Sequence, residues 1–303
     1  MPKDSPALRS LAAATAEIRS VRVATYNIHA CVGVDRRYDP ARIAAVLRSI
    51  DADVACLQEV GAGRQTGRPG HADQWAYLGA AIGCQVVLGA GMRAHRRRFG
   101  NAVLTRFPVL AARSIDLTVA GYEPRNAIDV DLLIGNRVLR VLATHFGLHA
   151  GERRLQAGRL IAALGETAAE NRRTADAVLL MGDLNEWRGR SGAIGALDRR
   201  LGPSPAPRTF PSWMPVLPLD RIYADGPAVL CDVAVCRTAL ARLASDHLPL
   251  AGSLLWGARD PGLRGRPAPP RRAVRRAIEQ AADRLGRAAS APAGRGSLPP
   301  GSA

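Results

Sequence analysis

Short runs of alternating apolar and polar residues recur along most of the chain. Residues 21–26, VRVATY, alternate in this way and predict a β-strand, and DVACLQEV at 53–60 predicts a second one. Gly135-Asn136 separates two strand patterns within 126–146, which predicts a β-hairpin. Further strand patterns lie at 101–109, 176–183, 219–225, 229–238 and 248–256.

Helical spacing of apolar residues appears between these strands. In residues 39–53, Asp39 is a suitable N-cap, Pro40 suits the first helical position, and an apolar stripe follows. That stripe consists of Ile43, Val46, Leu47 and Ile50. Residues 73–83 predict a second helix, and 152–173 predict a long one with Leu160, Ile161, Leu164 and Ala168 on one face.

The order of these elements bounds the fold class. Strands connected both by helices and by a hairpin indicate mixed α/β or α+β layers rather than a purely parallel sheet. We expect an N-terminal extension at 1–19, one domain at 20–257, and a separate tail from 258. The tail is rich in Pro, Arg and Ala; we predict that it is largely disordered, with a basic amphipathic helix at 271–289 as the alternative.

The chain is strongly basic, with a net charge of +16, and Lys3 is its single lysine. The arginine bias fits the composition of a GC-rich genome, and it fits equally well attraction to a polyanion such as nucleic acid or an anionic lipid surface. In residues 259–303, ten Arg stand against three acids. The tail is therefore either a solvated segment or an auxiliary contact to such a polyanion.

Cysteine usage and the N-terminus bear on the compartment. The five cysteines, Cys31, Cys56, Cys84, Cys231 and Cys236, are odd in number and lack zinc-ligand or CxxC spacing. Free thiols in a reducing compartment are the simpler interpretation. No apolar signal region or run of about 20 apolar residues is apparent. We therefore expect a soluble cytoplasmic protein.

Polar residues stand where the predicted strands begin or end. Each has an ordinary explanation alone, since Asn and Asp form turns and caps, and a lone His is usually a core residue. Gathered at one sheet edge, acids and amides would repel each other unless a cation lay among them. The residues are Asn27, Glu59, His145, Asp183, Asn185, Asp220, Asp246 and His247.

Carboxylates and amides of this kind suit Mg²⁺, Mn²⁺ or Ca²⁺ rather than zinc. Two histidines beside them suit proton transfer and phosphate contact near neutral pH. A hard cation, carboxylates and imidazoles are the groups that phosphodiester hydrolysis requires.

Seven motifs in order carry a resemblance to a known family. The set ATYNIH, CLQEV, GNAVLTRFP, ATHF, MGDLN, LDRIY and SDHLP resembles the endonuclease/exonuclease/phosphatase superfamily over roughly residues 20–256. The resemblance implies a four-layer α/β-sandwich, in which two packed mixed sheets are flanked by helices and the site lies at one sheet edge. It also implies a Mg²⁺-dependent phosphodiesterase, with Mn²⁺ as a substitute.

Carried over by position, the resemblance implies residue roles. Asn27 and Glu59 would be metal ligands, with Asp246 adding to the metal shell. Asp183 would orient or deprotonate the attacking water, and Asn185 would hold a phosphoryl oxygen.

Three further residues take roles around the scissile phosphate. His247 would polarise it or transfer a proton, with Asp220 fixing the ring's tautomer. His145 resembles the second histidine of the deoxyribonuclease I and sphingomyelinase branches. The segment that would supply its acidic partner, MRAHRRRFGN, contains no acid.

Arginines and aromatics bear on the substrate. Arg125 is a candidate phosphate-binding guanidinium, with a structural salt bridge as the alternative. Arg93, Arg96, Arg97 and Arg98 predict a basic loop, with Arg97 and Arg98 as the candidate substrate contacts. Phe210 and Trp213 line a pocket or anchor a loop.

Three functions stay open. A nuclease-type phosphodiesterase is the leading one, and a phospholipid or phosphoinositide phosphoesterase at a membrane surface is the alternative. A non-catalytic binding module is the third, and the intact set of ligands and bases argues against it.

Overall fold

The computed structural model describes residues 20–61, 73–89, 99–165, 175–188 and 192–256. The chain divides into Met1–Gly265 and Arg266–Ala303, and the second unit lies wholly outside the described residues. The predicted tail, its amphipathic helix and the N-terminal extension at 1–19 therefore stay predictions. So does the basic loop that contains Arg93, Arg96, Arg97 and Arg98, which also lies outside the described residues.

Eleven strands form two sheets within the described residues. In chain order they are β1 (Ser20–Asn27), β2 (Val54–Gly61), β3 (Gln85–Leu88), β4 (Phe99–Thr105), β5 (Val109–Asp116), β6 (Asn126–Ile134), β7 (Arg137–His145), β8 (Ala177–Asp183), β9 (Asp220–Asp225), β10 (Ala228–Val235) and β11 (Leu250–Trp256). The six-stranded sheet has the order β10-β11-β1-β2-β4-β3, and the five-stranded sheet has the order β5-β6-β7-β8-β9. β1–β2 and β7–β8 pair in parallel, and the other pairs are antiparallel, so both sheets are mixed.

Helices cover the outer faces of the two sheets. They are α1 (Pro40–Ile50), α2 (Gln74–Ile82), α3 (Ala150–Gly165), α4 (Gly192–Leu201) and α5 (Ala239–Ala244), with a 3₁₀ turn at His29–Cys31. The side chain of Asp39 accepts a hydrogen bond from the backbone N–H of Arg42, and Pro40 opens α1. This confirms the predicted start of the first helix.

The alternation along β1 explains the layers. Val21 and Val23 enter the core between the two sheets, whereas Ala24 and Tyr26 enter a second core beneath α1, α2 and α5. A third core joins the outer face of the other sheet to α3 and α4. The predicted four-layer sandwich of two mixed sheets flanked by helices is confirmed.

Some elements differ from the sequence prediction. The pattern at 101–109 spans the end of β4 and the start of β5, and α3 is described as Ala150–Gly165, so Ala168 lies outside the described residues. β3, α4, α5 and all of β5 beyond Val109 were not predicted. β3, α4 and α5 are short and carry little periodicity, whereas β5 has eight residues and its pattern was missed.

The parallel pairs bring the candidate residues to one edge. In the five-stranded sheet, His145 at the end of β7 is paired with Asp183 at the end of β8, and Asp183 is paired with Asp220 at the start of β9. In the six-stranded sheet, Asn27 ends β1 beside β2. The register of β2 shifts between Leu57 and Val60, and Glu59 within this bulge has a φ of 57°. The bulge gives the Glu59 side chain a direction that regular alternation would not.

Candidate active site

Asn27 joins the two sheets at their shared edge. Its amide nitrogen donates to Glu59 Oε1 at 2.8 Å and to Asp183 Oδ2 at 3.1 Å. Its side-chain oxygen accepts a hydrogen bond from the backbone of His29, and its own backbone oxygen accepts one from Ser245 Oγ at 2.8 Å. One buried amide therefore holds carboxylates from β2 and β8 close together, although their charges repel.

A glycine and a tight turn aim Asp183 and Asn185. A methyl group at Gly182 would lie 2.0 Å from the carbonyl oxygen of Thr144, so only glycine lets β8 approach β7 so closely. Asp183 Oδ1 accepts a hydrogen bond from the backbone N–H of Asn185 at 2.9 Å, and Asn185 has a φ of 50°. This Asx turn occupies one oxygen of Asp183 and leaves the other facing the site.

That second oxygen, Asp183 Oδ2, lies between two histidines. Nε2 of His145 is 3.5 Å away and Nε2 of His247 is 3.6 Å away. Both rings are buried, with 6% and 5% of their surface exposed. The two imidazoles therefore share one carboxylate, and their other neighbours decide how they differ.

His247 is held by acids on two sides. Its Nδ1 is 3.0 Å from Asp220 Oδ2, and Asp220 is fully buried. Burial acts to lower the pKa of His247, but the charges of Asp220 and Asp183 outweigh it and raise the pKa to about 10. His247 is therefore an imidazolium at neutral pH, with Nδ1–H donating to Asp220.

His145 has a cation as its neighbour. Its Nδ1 is 3.1 Å from the NH1 group of Arg125. Burial lowers the pKa of His145 to about 4; Asp183 opposes this change, and Arg125 and His247 add to it. Because a guanidinium only donates, Nδ1 accepts, and the hydrogen of the neutral ring lies on Nε2.

Asn185 contacts the same Nε2 atom of His145. Its amide nitrogen lies 3.1 Å from this atom and also donates to the backbone oxygen of Phe146 at 2.9 Å. An N–H of the ring and an N–H of the amide cannot donate to each other. The contact with His145 therefore leaves Asn185 a donor hydrogen for another acceptor.

Arg125 lines a groove at the site. Glu59, Asn101, Glu123 and His145 also line it. The NH2 group of Arg125 pairs with Glu123 at 2.9 Å, whereas its buried Nε has no hydrogen-bond partner among the described residues. Arg125 is thus ion-paired at the groove, and its Nε is a buried donor whose hydrogen bond is unsatisfied within the described part of the chain.

Glu59 and Asp246 form the acidic side of the site. Burial raises the pKa of Glu59, the hydrogen bond from Asn27 lowers it, and the charge of Asp246 raises it again. Asp246 Oδ1 is 3.9 Å from His29 Nδ1, and it accepts a hydrogen bond from Ser245 Oγ at 3.3 Å. A partly buried carboxylate with a raised pKa, near a second carboxylate, is a chemically suitable place for a hard divalent cation.

A second set of ligand atoms lies close together. Asp183, Asp220 and His247 each offer an atom within 4.8 Å of the others and could hold a metal ion. The imidazolium of His247 already balances charge between these two carboxylates, and its nitrogens face acids as donors. The oxygens of Glu59, Asp246 and Asn27 fit Mg²⁺ better, because they include no nitrogen ligand.

Two contacts at the site, those of Ser245 and His29, were not predicted from the sequence. Ser245 and His29 lie within the motifs SDHLP and ATYNIH, yet nothing in their spacing distinguished them from turn residues. The ring of Phe210 lies 4.9 Å from that of His247 at 48°, so Phe210 contacts the site, whereas Trp213 is exposed. The structure brings the eight strand-end residues and Arg125 to one edge; Arg97 and Arg98 lie outside the described residues.

Behind the site, a buried ion pair supports the turn that carries Asn185. Arg153 donates to Glu186 Oε2 at 3.0 and 3.1 Å, and both side chains are buried. Trp187 is 43% exposed, with the guanidinium of Arg153 lying 5.5 Å from its ring.

Within the described residues, no helix is long and apolar enough to cross a membrane.

Comparison with known proteins shows the family to which the chain belongs. A family model described as endonuclease/exonuclease/phosphatase family matches residues 24–247. The uncharacterized protein YbhP of Escherichia coli (strain K12) is 28% identical over 251 residues, which cover 78% of this chain and 96% of that protein.

Solved structures share the fold. An endonuclease/exonuclease/phosphatase from Beutenbergia cavernae has a TM-score of 0.59 at 22% identity, covering 79% of this chain and 72% of that one. The mannosyl-6-phosphatase Bt3783 of Bacteroides thetaiotaomicron has a TM-score of 0.60 at 17% identity, covering 78% and 100%. Truncated TDP2 of Caenorhabditis elegans has a TM-score of 0.57 at 20% identity, covering 78% and 97%.

Proposed function

Because this chain belongs to the endonuclease/exonuclease/phosphatase family, whose members hydrolyse phosphoesters, we propose that it is a Mg²⁺-dependent phosphodiesterase. The observation that carries the proposal is the convergence of Asn27, Glu59, Asp183 and the His247–Asp220 pair at one sheet edge. Mn²⁺ is expected to substitute for Mg²⁺.

Glu59, with Asn27 and Asp246, would hold the divalent cation. When bound, the cation withdraws negative charge from the phosphoryl oxygens. The raised pKa of Glu59 fits this role, because a cation would stabilise the charged form that burial disfavours.

Asp183 would orient the attacking water through Oδ2, since its other oxygen is held by the Asx turn. Water adds to phosphorus and gives its proton to this carboxylate, while the bond between phosphorus and the leaving oxygen breaks. Asn185 would hold a phosphoryl oxygen with its amide. A buried, fixed carboxylate spends little free energy on reorganisation during such a step.

His247 would act as a donor and not as a base, because its pKa of about 10 keeps it protonated at neutral pH. Its Nε2–H would donate to the phosphate as negative charge develops, while Asp220 fixes the ring from the opposite side. Arg125, which lines the groove beside His145, would bind a second phosphoryl oxygen through its guanidinium.

His145 would not supply a proton at neutral pH, since it is neutral there and its ring hydrogen lies on Nε2. A mechanism that requires two acidic histidines therefore fits this site poorly. We assign His145 to orienting Asp183.

The test is hydrolysis of bis-p-nitrophenyl phosphate by the full chain with Mg²⁺, with Mn²⁺ and after chelation with EDTA. We expect activity with either ion and loss of activity on chelation. Activity that survives full chelation, or turnover of p-nitrophenyl phosphate alone, would overturn the proposal. Plasmid DNA, RNA and anionic liposomes compared under the same conditions would then identify the substrate class.

A further inference from the structure

Six large apolar side chains are exposed beside the candidate active site. They are Val34, Trp213, Met214, Val216, Leu240 and Leu243, and we refer to them as the apolar rim. Trp213 is 64% exposed and Met214 is 53% exposed, which is unusual for side chains of this size. Large apolar side chains that are exposed in neighbouring segments mark an interaction site more often than singly scattered ones do.

Backbone hydrogen bonds hold the three segments of the apolar rim together. Val34 donates its N–H to the backbone oxygen of Leu243 at 3.1 Å. Arg242 donates to the backbone oxygens of Ser212 and Trp213 at 3.0 and 3.1 Å. Leu240 and Leu243 are three residues apart on α5 and share one helix face. The rim is therefore a built feature of the fold and not a set of scattered residues.

The apolar rim is joined to the active site by the loop that precedes β9. Ser212 donates its backbone N–H to the backbone oxygen of Asp246 at 2.7 Å. Phe210, two residues before Ser212, packs its ring against His247. The exposed tip formed by Trp213 and Met214 thus lies only a few residues from groups that contact the catalytic imidazole.

Basic side chains surround this surface. Arg36 and Arg37 lie in the turn after Val34, and Arg208 and Arg237 lie on the opposite side, where Arg237 donates to the backbone oxygen of Arg208 at 3.5 Å; all four are exposed. The neighbouring acids Asp35 and Asp39 both pair with Arg42. The apolar rim therefore has a cationic border.

The apolar rim with its cationic border matches the chemistry of one class of partner. An anionic bilayer attracts the arginines and accepts Trp, Met and Leu side chains at its interface. Nucleic acid would attract the arginines equally, but the exposed Val and Leu side chains gain little from phosphates or stacked bases. A second copy of this chain would bring two cationic borders together, which disfavours a dimer through this face.

We propose that the apolar rim docks the protein onto anionic lipid bilayers, with the active-site edge facing the headgroups. Trp213, Met214 and Leu243 enter the interfacial layer, while the surrounding arginines contact lipid phosphates. The further step, that lipid phosphodiesters are the substrates, rests on the proposed function. Docking itself is independent of catalysis.

Sedimentation of the full chain with vesicles tests the docking. The vesicles contain phosphatidylcholine alone or phosphatidylcholine mixed with phosphatidylglycerol. We expect the unmodified protein to bind the mixed vesicles. We expect Trp213→Ser/Leu243→Ser to bind them at least about tenfold more weakly, because this variant removes much of the apolar area that would enter the bilayer. The tail is present in every protein compared, so its contribution cancels.

A matched double variant controls for lost surface apolarity. Leu155→Ser/Val229→Ser removes two exposed apolar side chains that lie outside the apolar rim. We expect it to bind as the unmodified protein does. Equal weakening by both double variants, no loss in Trp213→Ser/Leu243→Ser, or no vesicle binding by the unmodified protein would each overturn the proposal. So would a rim variant that loses RNA or DNA binding while keeping vesicle binding.

Tryptophan fluorescence gives a second readout. On mixed vesicles the emission should shift to shorter wavelength, and brominated lipid should quench it. Trp213→Phe keeps an apolar side chain and should keep binding while losing most of both signals. Unchanged signals in Trp213→Phe would contradict insertion at this position.

The two proposals fail separately. Hydrolysis of soluble bis-p-nitrophenyl phosphate should be unchanged in Trp213→Ser/Leu243→Ser, since neither residue touches the catalytic groups. If the unmodified protein binds mixed vesicles but hydrolyses no phosphodiester, the proposed function fails and docking stands. If it hydrolyses the soluble substrate but ignores vesicles, docking fails and the proposed function stands.

Discussion

His145 and His247 lie at nearly equal distances from the same oxygen of Asp183, yet the fold gives them opposite properties. Asp220 contacts the far nitrogen of His247, the charge of Asp246 also acts on the ring, and the pKa of His247 rises to about 10. Arg125 lies against the far side of His145, and burial beside this cation lowers the pKa to about 4. One ring is a cation at neutral pH and the other is neutral.

The comparison teaches that an acid on the far nitrogen decides whether the effect of burial is outweighed: Asp220 helps to outweigh it at His247, whereas at His145 burial prevails and Arg125 adds to it. Both rings are equally buried and face the same carboxylate, so burial and Asp183 cannot account for the difference. Exchanging an acid for a guanidinium on the far side converts a charged donor into a neutral ring.

The largest loss of activity should come from changing Asp183, which both rings approach, or His247, which is the charged ring. Asp183→Asn removes the carboxylate between the rings, and His247→Ala removes the imidazolium. Each is expected to lower kcat on bis-p-nitrophenyl phosphate by a factor on the order of 10² or more. Circular dichroism should show an unchanged fold, and near-normal turnover in either variant would mean that the roles are assigned wrongly.

Removing the acid behind His247 should have the next largest effect. Asp220→Asn keeps a hydrogen-bonding group but removes the nearest charge that raises the pKa of His247. We expect activity roughly tenfold lower, with the alkaline loss of activity moved to lower pH. An unchanged pH profile would show that Asp220 only fills space.

In the metal-free protein, the free energy of unfolding should depend on pH through the ionisation of both histidines. For His247 the folded pKa is raised, so its contribution to stability is complete below the ordinary value of 6.5 and is lost as pH rises through about 10. For His145 the folded pKa is lowered, so its contribution is present above 6.5 and is lost as pH falls through about 4. Urea midpoints across pH test this; His247→Gln should flatten the alkaline side only, and His145→Gln the acid side only.

Changing the neighbour of His145 should have the smallest effect. Arg125→Met removes a cation beside Nδ1, so the pKa of His145 should rise modestly, while burial keeps it below 6.5. Substrate KM should rise several-fold, since a phosphate contact is lost. Arg200→Met, which breaks only a surface pair with Asp225, is the control, and an NMR titration of the histidine rings measures the shift.

The strand and helix patterns predict mixed α/β or α+β layers, and the two packed sheets were added by the resemblance to the family. Period-2 alternation alone could not have given them, because strands such as β6 and β7 are buried along almost their whole length. In β1, Val21 and Val23 stand at alternate positions of the sequence and lie in one core, whereas Ala24 and Tyr26 lie in another. Short elements such as β3 were missed, since four residues carry too little periodicity to stand out.

The strand-end residues could be located, and the resemblance already paired Asp220 with His247, but the neighbour of His145 could not be predicted. The lack of an acid for His145 was visible in MRAHRRRFGN, whereas Arg125 as its neighbour depends on how the segment before β6 folds back on β7. Trp213 could equally have been a buried anchor, because loop residues follow no period. Only tertiary packing distinguishes Phe210, which turns toward His247, from Trp213, which faces solvent.

The contact between Gly182 and the carbonyl of Thr144 has a consequence for how this chain can vary. A clone library randomised at position 182 and selected for folded protein should return glycine almost alone, because even a methyl group would meet backbone atoms. The same library at Gly158, where a Cβ would meet nothing among the described residues, should return many residues. Two glycines that the sequence alone does not distinguish thus differ greatly in how many substitutions each position tolerates.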